Sequence, residues 1–469
     1  MWIARSTVLL FLLAMPGFAP LLSEVNAHDL SRIALILVVT VCAAALAGRA
    51  IIGANHERWP RPLAWGAAAI GLLALASVLH AADLPAAARE LATLLGLLSI
   101  VAVVASARHQ RQRETLAICV VVAALLYAGL LLFILAITIA HAGPLDRSNV
   151  FLGYINHRFF NHAQTVVLPL LVIATSRTFQ QGALARLAWI ALSLNFAFLI
   201  FALGRATAVA LIVGGVVSLV LFRRAALPHA LRLTVSAGLG AGVYFVLFVL
   251  LPNLTGSVTQ LASQAGIASA ESFHIRVQLW RHALEFAAQQ PWLGIGPMHY
   301  AHYISWEAAH PHNVYLQVAA EWGLPMVAGL LGVGGWAIWR LARTIRSSSD
   351  PAEVSMGIGL FIGVVAIAID GLFSGNFVMP MSQAWIALLI GWAMAWTRAN
   401  SVPAVRAAAG AFERRVRAGL AVGLLVSQAW LIGSIAPEVL DLRAHLEHVH
   451  RDISKVEHLC PRFWSDGWF

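Results

Sequence analysis

Apolar residues run through this chain in blocks of about twenty, parted by short polar breaks. Neither the alternation of a half-buried strand nor the 3–4 spacing of an amphipathic helix describes them. A helix of about twenty residues spans the hydrocarbon core of a bilayer and satisfies its own backbone hydrogen bonds there. The blocks fall at 3–22, 31–53, 62–83, 85–106, 115–141, 162–176, 186–203, 205–222, 232–251, 313–340, 353–375, 380–397 and 415–436. They predict an all-α polytopic membrane protein with about 12–13 transmembrane helices, since Pro85 and Gly204 each separate neighbouring blocks with almost no loop. The first block precedes Val25-Asn26-Ala27, which resembles a signal-peptide cleavage site; an uncleaved anchor is the expectation when a dozen spans follow.

The polar remainder divides the chain into N-terminal transmembrane helices (1–251), a long loop (252–312), C-terminal transmembrane helices (313–436) and a tail (437–469). Helix–helix connections usually run about 2–8 residues, so a loop of this length predicts a small, partly helical cap that carries function. In the tail, Leu440, Leu446 and Val449 recur at helical spacing among His445, His448 and His450, which predicts an amphipathic surface helix. No internal repeat is evident.

Charge refines this picture. Only 11% of residues are charged, which excludes an ordinary soluble enzyme. A net charge of +10 raises nucleic acid as a partner, but the arginines sit in alternate connections. They are Arg5; Arg58 and Arg61; Arg108, Arg111 and Arg113; Arg177 and Arg186; Arg223 and Arg224; Arg340, Arg343 and Arg346; and Arg398 through Arg417. By the positive-inside rule these seven connections are cytoplasmic, so the charge sets topology and implies no nucleic acid. Segments 142–161 and 252–312 and the tail then lie outside. In 252–312, Arg276 and Arg281 are outnumbered by Glu271, Glu285 and Glu307. Cys42, Cys119 and Cys460 are scattered and indicate neither disulfide framework nor zinc site.

Four residues depart from this scheme. Arg205, in Gly204-Arg205-Ala206-Thr207, sits between two apolar blocks on the side where arginine is scarce; such a charge lines a polar cavity or snorkels to the interface. Arg276 shares a helix face with Trp280 and has no acid three or four positions on, whereas Arg281 can pair with Glu285. His312 follows Pro311 and precedes Asn313, a good helix cap; a helix N-terminus favours anions and keeps an imidazole neutral. Asp370 lies near the outer end of its block, as a functional acid or as a structural partner of Arg205 or Arg158. His299 with His302, and His310 with His312, have spacings that can ligate a metal, but no His-Glu-x-x-His, acidic cluster or phosphate-binding loop is present. No metal or other cofactor is expected.

Arginine forks bind phosphate bidentately, so two at a membrane edge suit a lipid-linked phosphate or pyrophosphate. If that group departs from a sugar, the arginines neutralise the developing charge and a neutral histidine takes the proton of the attacking hydroxyl. One base and one leaving-group clamp describe a single displacement with inversion; retention needs paired carboxylates.

The long outer loop, Gly204-Arg205-Ala206-Thr207, the Arg276-to-Trp280 helix, and His312-Asn313-Val314-Tyr315-Leu316 followed by Glu321-Trp322-Gly323 together resemble the O-antigen ligase and polymerase family of bacterial inner membranes. Asn156 to Gln164, with Arg158, Phe160 and Asn161, is similar to the start of that family's core, and the likeness covers about 150–400. The resemblance implies a GT-C-like, metal-independent glycosyltransferase working at the periplasmic face. Its donor is a glycan on undecaprenyl pyrophosphate, its acceptor a lipid A–core sugar. His312 then corresponds to the essential histidine, Arg205 and Arg276, with Arg158, to the pyrophosphate-binding arginines. Asn313, His310, Trp280, Glu321 and Asp370 support them, and His310 competes with His312 for the base role. A short tail favours the ligase over protein-glycosylating oligosaccharyltransferases, and the polymerase stays open. A transporter of anionic lipid or glycolipid is the alternative of another class; it has no need of a folded loop holding His312.

Overall fold

The structure, a computed structural model, describes residues 1–18, 27–52, 61–107, 109–141, 143, 145, 147–154, 156–176, 182–255, 263–302, 308–401 and 410–440. Within them the chain is α-helical and forms no sheet. The first half comprises α1 (Trp2–Phe18), α2 (Ala27–Ile51), α3 (Arg61–His80), α4 (Leu84–Val104), α5 (Gln110–Ala140), α6 (Arg147–Val150), α7 (His157–Ala174), α8 (Gly182–Phe201) and α9 (Arg205–Phe222). Next, α10 (Leu227–Tyr244) continues through a π-helical stretch, Phe245–Leu250, into α11 (Leu251–Thr255). The rest comprises α12 (Ser263–Gln289), α13 (Val314–Trp322), α14 (Leu324–Ser347), α15 (Pro351–Asp370), α16 (Pro380–Asn400) and α17 (Ala411–Leu440).

Nine described segments are long and apolar enough to cross a membrane: α2, α4, α5, α8, α9, α10 with its extension, α14, α15 and α17. This is a multi-pass membrane protein. The expected count of 12–13 includes four further helices that do not meet that standard. Of these, α1 and α3 have shorter apolar stretches. The other two, α7 and α16, carry polar residues such as Asn161, Gln164 and Thr165, or Ser382 and Gln383. These last two are the most enclosed helices of the bundle: α7 is buried from Phe160 to Ala174 and α16 from Pro380 to Leu389. Their polar side chains therefore face protein rather than lipid.

A second correction concerns the block at 313–340. It is two helices, because Gly323 (φ 84°) breaks it, and only α14 is a span. The short α13 belongs with α12 to the cap expected from the long loop, joined through a cluster of Leu279, Ala283, Tyr300, Ala308 and Ala320. The amphipathic tail helix, from 441 onward, lies outside the described residues, as do Asp146 and Cys460.

Antiparallel order sorts the helix ends. The starts of α5 and α17 and the ends of α9, α14 and α16 carry the arginines used for topology. The starts of α7, α9 and α13 and the end of α15 gather at the opposite end. That is where the site lies.

Candidate functional site

The site is built from helix termini. Asn156 caps α7, its Oδ1 accepting the Arg158 N–H at 2.9 Å, so Arg158 falls in the first turn. A turn of three residues after α8 puts Arg205 at the first position of α9, with Gly204 as cap. Asn313 caps α13, its Oδ1 accepting the N–H groups of Tyr315 (3.0 Å) and Leu316 (3.1 Å), and His312 immediately precedes it. Helix N-termini carry partial positive charge, which disfavours arginine and favours anions. Two arginines at such termini add to a potential that only an anion relieves.

Arg276 faces this group from α12. Burial, then the charges of Arg158 and Arg205, hold its guanidinium below its ordinary value without deprotonating it, while Asp370 acts in the opposite sense. Among the described residues no carboxylate comes within ion-pair distance of Arg158, Arg205 or Arg276. The pair between Asp370 and Arg205 or Arg158 considered from the sequence is therefore not formed. Instead Asp370, fully buried, accepts Ser374 Oγ at 2.9 Å and Thr165 Oγ1 at 3.2 Å through Oδ2, and its Oδ1 has no partner. Thr165 in turn shares a 2.8 Å hydrogen bond with Thr207, which donates to the Asn161 carbonyl at 3.0 Å. This chain of hydroxyls ties α7, α9 and α15 together beneath the arginines.

Some of the His312 surface still meets solvent, yet protein surrounds most of the ring. Burial first, and then Arg276 and Arg158, push its pKa down to about 3, so the imidazole is neutral at neutral pH. It is a base surrounded by cations. The helix-terminus argument gave the direction of this shift; its causes are burial first and then the neighbouring arginines, both invisible before folding. Val314 N donates to Gly371 O at 2.8 Å and Tyr315 OH to Ala368 O at 2.8 Å, so the start of α13 docks on the end of α15 beside Asp370.

Trp280 serves the site indirectly: its Nε1 donates to Pro311 O at 3.0 Å, fixing the His310–His312 segment to α12 one turn from Arg276. Glu321 does not join the site. At the far end of α13 its buried carboxylate accepts the Tyr300 N–H at 2.9 Å and Gln317 Nε2 at 3.3 Å, securing the turn-rich segment 291–300. There Gly294 and Gly323 let two backbones cross. A Cβ on Gly294 would overlap the Glu321 carbonyl, and one on Gly323 would overlap Trp292 O. His299 is likewise structural, its Nε2 accepting the Asp83 N–H at 2.8 Å and its Nδ1 donating to Pro297 O at 2.8 Å. Both nitrogens are engaged, so the His299–His302 spacing offers no ready metal ligand, and Arg281 pairs with Glu285 at 3.3 Å as expected.

His162 is the residue sequence reasoning passed over. It is 6% exposed on α7, its Nδ1 is buried without a partner, and it lies within the electrostatic reach of His312, Arg158 and Arg276. The signal was present as a polar stripe on α7: Arg158, Asn161, His162, Thr165 recur at helical spacing.

From Arg205 a groove of about 600 Å³ follows α9 between α8 and α10. Ala208, Leu211, Ile212, Gly215, Val216 and Leu219 line one wall, and apart from Arg205 and Thr234 the side chains around it are apolar. At 1.5 Å per residue, Arg205 to Leu219 spans about 21 Å. Leu203, Ile212 and Val216 are exposed, so the groove faces the side where lipid lies. Its length and apolar lining match those of a hydrocarbon chain, with Arg205 at one end.

Residues 189–331 match the model of the O-antigen ligase family. This stretch contains Arg205, the groove, Arg276, His310 and His312; Arg158 and Asp370 lie outside it. The family resemblance drawn from the motifs is thus supported, and with it a glycosyltransferase-like role in O-antigen assembly. No curated protein matches the chain.

Proposed function

We propose, taking the O-antigen ligase match as premise, that the protein transfers a glycan from undecaprenyl pyrophosphate to a sugar hydroxyl of lipid A–core at the periplasmic face of the bacterial inner membrane. The observation that carries this reading is the cluster of Arg158, Arg205 and Arg276, without carboxylate partners among the described residues, beside a neutral His312.

In this reading the polyprenyl chain lies in the groove along α9 and brings its pyrophosphate to Arg205. Arg276 and Arg158 complete the clamp. The acceptor hydroxyl oxygen attacks the anomeric carbon on the face opposite the pyrophosphate. As that bond forms, the bond from the anomeric carbon to the phosphate oxygen breaks, and its electron pair passes to the pyrophosphate held by the arginines. The hydroxyl proton goes to His312, and the sugar is inverted. The guanidinium groups perform the charge neutralisation that a divalent ion performs elsewhere, so transfer is expected to persist in chelator.

The test is complementation of a strain lacking its O-antigen ligase, read by lipopolysaccharide electrophoresis. Restored long-chain capping supports the ligase. Failure there, with rescue of a polymerase-deficient strain whose core carries a single repeat, identifies the polymerase, which needs the same donor clamp. No rescue of either overturns the reading.

A further inference from the structure

We infer that His310 is the residue that positions the His312 base, an assignment that rests on His312 acting as the base. Two histidines two residues apart compete for that role on sequence alone. The geometry separates them.

His312 has φ 51°, in the left-handed region that side chains rarely adopt, so its backbone is strained unless something holds it there. Its own N–H donates to Nδ1 of His310 at 3.2 Å, and the two rings meet edge to face with centroids 4.2 Å apart. The Nδ1 lone pair of His310 is thereby occupied by a backbone donor and is not free to take a proton from a substrate hydroxyl. His310 itself is 2% exposed and pressed against Gly375, where an added Cβ would lie 2.5 Å from its Cε1. Gly375 adjoins Ser374, the donor to Asp370. The ring is thus seated on the turn that ends α15, and its Nδ1 dictates where the His312 backbone sits.

The flanking residues are pinned too. The Pro311 carbonyl accepts Trp280 Nε1, and Asn313 caps α13. Among the described residues only the His310 acceptor bears on the His312 N–H. Without it, His312 relaxes toward ordinary negative φ and its imidazole swings out of line with the arginines. A positioning fault of this kind lowers turnover and spares donor binding.

The experiment compares His310→Leu, which removes the acceptor, with His310→Asn, whose Oδ1 can replace Nδ1. A third variant, Gly375→Ala, displaces the ring without altering it. Purified proteins are assayed with undecaprenyl-pyrophosphate-linked oligosaccharide and lipid A–core. His310→Leu and Gly375→Ala should lose kcat on the order of 10- to 100-fold with donor KM within about twofold, whereas His310→Asn should recover most of it. Wild-type turnover in His310→Leu overturns the assignment. Equal loss in folded His310→Asn and His310→Leu also overturns it, because the ring would then act by its own chemistry. If His310→Leu fails to fold, wild-type kcat in Gly375→Ala is the overturning result. His312→Ala run alongside separates the premises: retained transfer there removes the base reading itself, whereas an inactive His312→Ala with an active His310→Leu removes only the positioning role.

Discussion

The two ends of the bundle use arginine in opposite ways. At the end carrying the topology arginines, charge finds partners. Arg113 pairs with Glu353 at 2.8 Å, and the same carboxylate oxygen accepts Asn400 Nδ2 at 2.9 Å, joining α5, α15 and α16. Arg340 and Arg343 lie over the rings of Trp336 and Trp339, 5.2 and 5.5 Å from their centroids, holding aromatic residues where tryptophan favours the membrane interface. At the other end Arg158, Arg205 and Arg276 repel one another, and the nearby acid, Asp370, is occupied by hydroxyl groups. Paired arginines fix the protein in its membrane. Unpaired ones keep their charge for something that has yet to arrive.

Substitutions at both ends test that contrast. The largest effect is expected for His312→Ala: loss of a general base lowers kcat by about 10²–10⁴-fold while donor lipid still binds. Retained turnover would break the base assignment. The same residue predicts a pH profile. Its pKa is pushed down to about 3, so the base stays unprotonated, and kcat/KM flat, as pH falls from 8 to 5. Bound pyrophosphate offsets the arginine charges and raises that pKa, so the acid limb of kcat should lie at higher pH than that of kcat/KM. Arg276→Lys comes next. A single ammonium cannot reproduce a bidentate contact, and losing one charged hydrogen bond worth about 1.5–3 kcal/mol lowers kcat/KM on the order of 10- to 100-fold.

A smaller effect is expected in the groove. Gly215→Leu projects into open space along α9 and should raise the KM for the polyprenyl donor several-fold, but not for a short-chain analogue. Equal effects on both would argue against a hydrocarbon chain there. Smallest of all for catalysis is Arg113→Gln at the paired end. It should cost stability on the order of 1 kcal/mol, read as a lower melting temperature, with turnover within about twofold. A large catalytic defect would erase the distinction between the two ends.

Much of this contrast was legible in the sequence because membranes punish misplaced charge. Arginines recurring in alternate connections predicted that one end of the bundle would gather them, and Arg205, Arg276 and Asp370 stood out by violating the pattern. What sequence could not supply was which groups meet. Asp370 resembled half of an ion pair, yet Thr165 and Ser374, from α7 and the turn after α15, engage one of its oxygens instead. His162 was overlooked although it continues the polar stripe of α7, because only the fold brings it within reach of His312. The split of block 313–340 was hidden for a different reason. Hydropathy averages over Gly323, and a break in φ leaves no trace in apolar content.

The crossing of Gly294 and Gly323 has a mechanical consequence. Two backbones that admit no side chain between them form a joint with little play. Tyr300 and Trp280 extend it, binding Leu279 O and Pro311 O at 2.9 and 3.0 Å. The helix bearing Arg276 and the segment bearing His312 therefore travel as one body with the start of α14. The spacing between Arg276 and His312 is thereby a property of the folded chain and does not depend on anything bound between them.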